Sequence, residues 1–106
     1  MIRHVVMWKL KEEAEGASKN KNAEKMKLIL EGLKINIEEI KSVEVGINIS
    51  EDDDEPGSNF DVVLICDFET ELDYTMYTRS EHHKKAVGFI NSVIKERYFV
   101  DYKMDI

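Results

Sequence analysis

From Ile2 to Lys11 apolar residues alternate along the chain, with Ile2, His4, Val6, Trp8 and Leu10 on one side. Val5 and Met7 make the middle of the opposite side apolar too, the pattern of a strand in the interior of a sheet. Residues 12–22 are polar, with Gly16, Ser18 and Asn20 as turn and capping candidates. They lead into Ala23, Met26, Leu30, Leu33, Ile37 and Ile40 at steps of three and four, which predicts a helix broken near Ile35 and Asn36. Val43, Val45, Ile47 and Ile49 then alternate with Ser42, Glu44, Gly46 and Asn48, a strand buried on one face. Residues 50–59 read as a loop. Phe60 to Phe68 is a second strand apolar on both sides at its centre. Thr70 with Asp73 resembles a capping box that opens a short helix through Leu72, Tyr74, Met76 and Tyr77. Ser80 can cap the next helix, which carries His83, Val87, Ile90 and Ile94 inward and ends near Glu96. Tyr98, Val100, Tyr102, Met104 and Ile106 alternate as a last strand.

The order β-α-β-β-α-β, without repeat or linker, predicts a single α+β domain over residues 1–106. It is the ferredoxin-like arrangement, with a four-stranded antiparallel sheet and its helices on one face. The other sheet face is then left bare, yet Val5, Met7, Val63 and Ile65 make the two central strands apolar there as well. A chain of 106 residues has no third layer to cover it. A second copy is the partner this predicts, because a two-fold axis lets one face bury its own twin.

The 22 acidic residues outweigh the 15 basic ones for a net charge of -7, which repels phosphate backbones and anionic lipid. Neither nucleic acid nor a membrane surface is an expected partner. Cys66 is the single cysteine and lies in an apolar run, so no internal disulfide forms and a cytoplasmic location is expected. Arg3, His4 and Lys9 interrupt the first strand, so no secretory leader is expected there, and no stretch approaches the ~18 apolar residues of a membrane span.

His83 shares its helical stripe with Val87, Ile90 and Ile94, so its imidazole faces inward and requires a hydrogen-bond partner or a ligand. Tyr77 stands six residues earlier, across the helix start. A neutral imidazole that takes a proton near pH 7 and a phenol that donates to a developing enolate oxygen form an acid–base pair. The plainer reading makes Tyr77 core packing and His83 a donor to the backbone at a helix end. His4 lies on the Ile2, Val6, Trp8 side, where it either completes a polar cluster with His83 or is a satisfied core histidine. His82 diverges from its neighbour by about a quarter-turn and is expected in solvent. The histidines lack the spacing of a closed zinc site. The run Glu51, Asp52, Asp53, Asp54 and Glu55 lacks the alternating ligands of a calcium loop and reads as a solvated tip. No metal or other cofactor is expected.

Taken in order, Ile2-Arg3-His4-Val5-Val6-Met7-Trp8-Lys9-Leu10-Lys11, Val43-Glu44-Val45-Gly46 with Asn48, Phe60-Asp61-Val62-Val63-Leu64 with Phe68, Tyr77 to His83 followed by Phe89-Ile90, and Val100-Asp101-Tyr102 resemble the stress-responsive A/B barrel (Dabb) family of dimeric α+β barrels. The resemblance spans nearly the whole chain. It implies a homodimer whose sheets close into a barrel, with a small pocket lined by His4, Tyr77 and His83 that takes a small organic ligand or serves a stress response. Plant polyketide cyclases similar to this family use a Tyr and a His in this helix region for aldol chemistry, which implies catalytic roles for Tyr77 and His83. The related dimeric monooxygenases imply a third reading in which His83 ligates haem. Ser80 and Glu81 stand where the family usually reads His-Pro.

Overall fold

The structure, a computed structural model, describes residues 1–50 and 60–105. Strand β1 (Ile2–Leu10) is followed by a small hairpin, β2 (Glu13–Ala14) and β3 (Ala17–Ser18), and helix α1 (Lys19–Asn36). Strands β4 (Ile40–Ile47) and β5 (Val62–Phe68), helices α2 (Glu71–Arg79) and α3 (Glu81–Val93), and strand β6 (Ile94–Lys103) complete the chain. The main sheet has the order β4-β5-β1-β6 with every pair antiparallel. This is the expected ferredoxin-like layering.

One side of β1 is buried as its alternation predicts: Ile2, His4, Val6, Trp8 and Leu10 lie under the helices. Met26 and Leu30 of α1, Leu64 and Phe68 of β5, and Ile90 and Val93 of α3 meet them in one core. Three caps set the helices. The Ser18 hydroxyl accepts from the Lys21 N–H at 3.4 Å, Thr70 from Asp73 at 3.1 Å, and Ser80 from His82 at 3.2 Å. Each satisfies a donor that a helix start leaves without a partner.

The opposite face has no covering layer among the described residues. Met7, Tyr98, Val100 and Tyr102 are each about half exposed there, beside the half-buried Val5, Val63 and Ile65. At one end of that face, one row crosses all four strands: Ser42, Asp67, Arg3 and Tyr102 stand opposite one another. Arg3 grips Asp67 through two bonds of 2.8 and 3.0 Å, and Ser42 adds a third at 3.0 Å. The guanidinium holds the Asp67 carboxyl below the usual carboxylate range.

Several boundaries differ from the sequence pattern. The polar segment after β1 is a two-residue hairpin, with Glu15 (φ 52°) and Gly16 (φ 71°) both left-handed, as the tight primed turns require. Helix α1 stops at Asn36, where the break is expected, but Ile40 starts β4 instead of continuing the helical stripe. Ile49 lies beyond β4 and is exposed, because the Asn48 side chain turns the chain, donating to the Phe60 carbonyl and accepting from the Ser50 N–H. Helix α3 ends at Val93, whose carbonyl takes the Lys11 N–H at 2.9 Å, and β6 begins at once. The acidic run from Glu51 to Glu55 lies outside the described residues, as does Ile106. No helix among the described residues is long and apolar enough to cross a membrane.

Candidate functional site

His4, Tyr77 and His83 come together where β1, the end of α2 and the start of α3 meet. β1 turns His4 toward the helices, in a row that crosses the sheet from Val43 through Cys66 to Asp101. The ring is buried, and its Nδ1 is hydrogen-bonded to the Asp101 carboxylate. The Tyr74 phenol lies near the same carboxylate, which adds to the rise of its pKa. Burial pushes the His4 pKa down and outweighs the opposing pull of Asp101. The neutral ring therefore carries its proton on Nδ1 and leaves Nε2 as an acceptor.

Ser80 is the joint that brings the other two side chains together. It ends α2, with its N–H on the Tyr77 carbonyl at 3.1 Å, and caps α3, so the chain turns without a loop between them. Tyr77 in the last turn of α2 and His83 in the first of α3 then lie with ring centres 4.4 Å apart. The His4 ring is 6.2 Å from Tyr77, in an edge-on arrangement. Tyr77 is buried against Phe68, and burial pushes its phenol well above the ordinary range, while Tyr74 is pushed up to about 12. Both hydroxyls stay protonated donors at neutral pH.

His83 is half-buried, and its Nδ1 has no hydrogen-bond partner among the described residues. Burial pushes its pKa down. The Thr78 backbone pulls the other way, and the nearby His4 and Arg97 reinforce the fall. A neutral imidazole with an unpartnered nitrogen is suited to accept a proton. His82 is exposed, as its position on the helix predicts. Burial pushes the Cys66 thiol up to about 12, which makes it an inert packing group.

A cavity of about 30 Å³ lies between these groups, lined by His4, Trp8, Tyr77 and His83, with the exposed Asn91 and Arg97 at its rim. That is room for a group of about one water's size. A porphyrin does not fit it, so the haem reading finds no support in the geometry. A larger cleft of about 570 Å³ is lined by Glu12, Lys19, Asn48 and Asp61 and shares no residue with the cavity. Among the described residues no three His, Cys, Asp or Glu side chains converge as metal ligands do.

The pattern reading singled out His4, Tyr77 and His83 but not Asp101, Tyr74, Trp8 or Arg97. Asp101 becomes visible only once the β1–β6 register sets it opposite His4. Trp8 is counted as core by its alternation, yet its Nε1 is buried without a hydrogen-bond partner among the described residues.

No curated protein matches the sequence. Several solved structures share the fold. A dimeric protein of unknown function with a ferredoxin-like fold from Bacteroides fragilis superposes with a TM-score of 0.81 at 25% identity, over 97% of this chain and 95% of that one. A hydroxynitrile lyase from Passiflora edulis reaches 0.80 at 14% identity, over 98% and 93%. A dimeric ferredoxin-like protein of unknown function from Thermobifida fusca reaches 0.78 at 20% identity, over 97% and 90%. At sequence level, the stress responsive A/B barrel domain matches residues 2–104, almost the full length. The chain belongs to the stress responsive A/B barrel domain family.

Proposed function

We propose that this chain is one protomer of a cytoplasmic homodimer that binds a small organic molecule in the cavity between β1, α2 and α3. The observation that carries this reading is the convergence of His4, Tyr77 and His83 on one cavity, with a neutral imidazole whose Nδ1 has no hydrogen-bond partner among the described residues. Buried polar atoms are almost always paired, and an unpaired one beside a cavity points to a ligand or a water.

The bare sheet face supports the dimer. Exposed Tyr98, Val100 and Tyr102 beside Met7 form an apolar surface on an otherwise strongly charged chain. At roughly 25 cal/mol per Å², several hundred Å² covered on each copy offset the cost of association. The Bacteroides and Thermobifida proteins of the same fold are described as dimeric. Cys66, the single cysteine of the sequence and buried, fits a reducing compartment.

A second reading is catalytic, and the His83 Nδ1 favours it. His83 takes a proton from an acidic C–H or O–H of the ligand, and Tyr77, whose phenol stays protonated, donates to the oxygen where charge develops. Asp101 fixes the tautomer of His4 and so the direction in which that ring accepts.

Titration of the protein with acetylacetone, an enolisable diketone, tests the binding reading through the NMR signals of the imidazoles. Saturable shifts at His4 and His83 are expected, weakened about tenfold in Tyr77→Phe and abolished in His83→Ala. Equal shifts in all three proteins, or none in the wild type, contradict it.

A further inference from the structure

We propose that Trp8 is part of the ligand site: its indole Nε1–H and the Nδ1 of His83 together form a seat for a hydroxyl group, so the ligand is a small hydroxyl- or enol-bearing molecule. The inference rests on the reading of the cavity as a ligand site and deepens it.

Trp8 lies on the core face of β1, toward its C-terminal end, and is 4% exposed. Its indole has one polar atom, which can only donate. That atom and the Nδ1 of His83 are the two buried side-chain nitrogens or oxygens without a hydrogen-bond partner among the described residues. Both residues line the same cavity. Leaving a buried polar atom unsatisfied is costly enough that native structures seldom do it once, and two in one cavity point to a common partner.

The chemistry of the two atoms defines that partner. An indole N–H needs an acceptor. The neutral His83 ring presents a lone pair at Nδ1 when its proton is on Nε2, and then needs a donor. A single oxygen that accepts from one and donates to the other is a hydroxyl: water, an alcohol or an enol. A ketone or ether oxygen satisfies Trp8 and leaves His83 unpaired. Carboxylates satisfy Trp8 but set a negative oxygen against the lone pair of Nδ1. The space, about 30 Å³, suits one such group, and the rest of the molecule extends past Asn91 and Arg97.

The seat also gives the proton transfer a direction. When the hydroxyl O–H bond breaks, its proton goes to His83 Nδ1 and the electron pair stays on oxygen, where the Trp8 N–H faces it. A donor that strengthens as negative charge grows favours the ionised state over the bound one. Trp8 is thus a specificity residue for the hydroxyl and a donor to the oxyanion.

Trp8 is the only tryptophan in the chain, so its indole N–H gives a unique NMR signal. Hydroxyacetone is titrated against acetone, which differs only by lacking the hydroxyl. Hydroxyacetone is expected to shift the Trp8 indole and the His83 imidazole with one common midpoint, and acetone to bind at least tenfold more weakly. Trp8→Phe keeps a smaller aromatic ring without the N–H and is expected to weaken hydroxyacetone about tenfold, the loss of one hydrogen bond. Shifts at His83 alone, or equal affinity in Trp8→Phe, overturn the role of Trp8 and leave the cavity reading standing. Equal affinity for acetone overturns the hydroxyl seat. Shifts at neither residue overturn the cavity reading and this inference with it.

Discussion

His4 on β1 and Asp101 on β6 stand directly opposite each other across an antiparallel pair, and the His4 Nδ1–H donates to the Asp101 carboxylate on the side of the sheet that faces the helices. Burial and the carboxylate act on the ring in opposite directions, and burial wins. Removing the charge therefore leaves burial unopposed. Asp101→Asn is expected to lower the His4 pKa further below its ordinary value, read from the pH dependence of its ring-proton signals. An unchanged or raised value contradicts the pairing. Loss of this partly buried charge-assisted bond is also expected to cost about 1–3 kcal/mol in urea unfolding.

Stability should fall on mild acidification. An unfolded histidine titrates near its ordinary value, about 6.5, whereas burial holds the folded His4 and His83 below theirs. Between the folded and unfolded values the unfolded chain binds more protons, so stability declines as pH drops through that window. Asp67 adds a second decline at lower pH. Its folded pKa is depressed by Arg3, so its contribution is full above the unfolded carboxylate range and disappears as pH falls through the folded value. Urea midpoints measured from pH 7.5 to 5 at one protein concentration check the first window, with a shallower slope expected in His83→Gln.

The two site histidines should differ in what they contribute to folding. His4 is buried and bonded, and truncation to alanine is expected to cost about 2–4 kcal/mol through the lost bond and the cavity left behind. His83→Phe removes an unpartnered nitrogen and keeps a ring beside Tyr77, so a change within about 1 kcal/mol is expected. Comparable losses for both would assign His83 a structural role.

Much of this was legible in the pattern of the chain. The alternation of Ile2, His4, Val6, Trp8 and Leu10 correctly places His4 on the core face, because a strand's period of two leaves no other choice. Ser80 is recognisable as a cap, and it is the joint that sets Tyr77 beside His83. The stripe on α3 is shifted: Ala86, Ile90 and Val93 form its buried ridge, with His83 and Val87 at the side. Asp101 and Tyr74 were not legible, since their roles depend on strand register and on how α2 lies against the sheet, which no local pattern encodes. Trp8 shows a further limit: periodicity identifies it as buried but says nothing of whether its N–H has a partner.

The apolar sheet face should respond to a single charge. Val100 is 54% exposed in the protomer, so Val100→Glu is expected to leave its circular dichroism unchanged. Buried against a second copy, the same carboxylate is strongly unfavourable, and the dimer dissociation constant is expected to rise roughly 100-fold. Sedimentation equilibrium of both proteins checks this. A wild type that is monomeric at tens of micromolar removes the dimer.

The claim on which the account rests is that His4, Tyr77 and His83 surround a ligand and not merely one another. A crystal structure of the protein grown with acetylacetone tests it most directly. The account predicts density for the diketone with one oxygen seated in the cavity, within hydrogen-bonding distance of His83 Nδ1, and the rest of the molecule extending past Asn91 and Arg97. A cavity closed on its own side chains at saturating acetylacetone, with His83 Nδ1 bonded to a protein group, would contradict it.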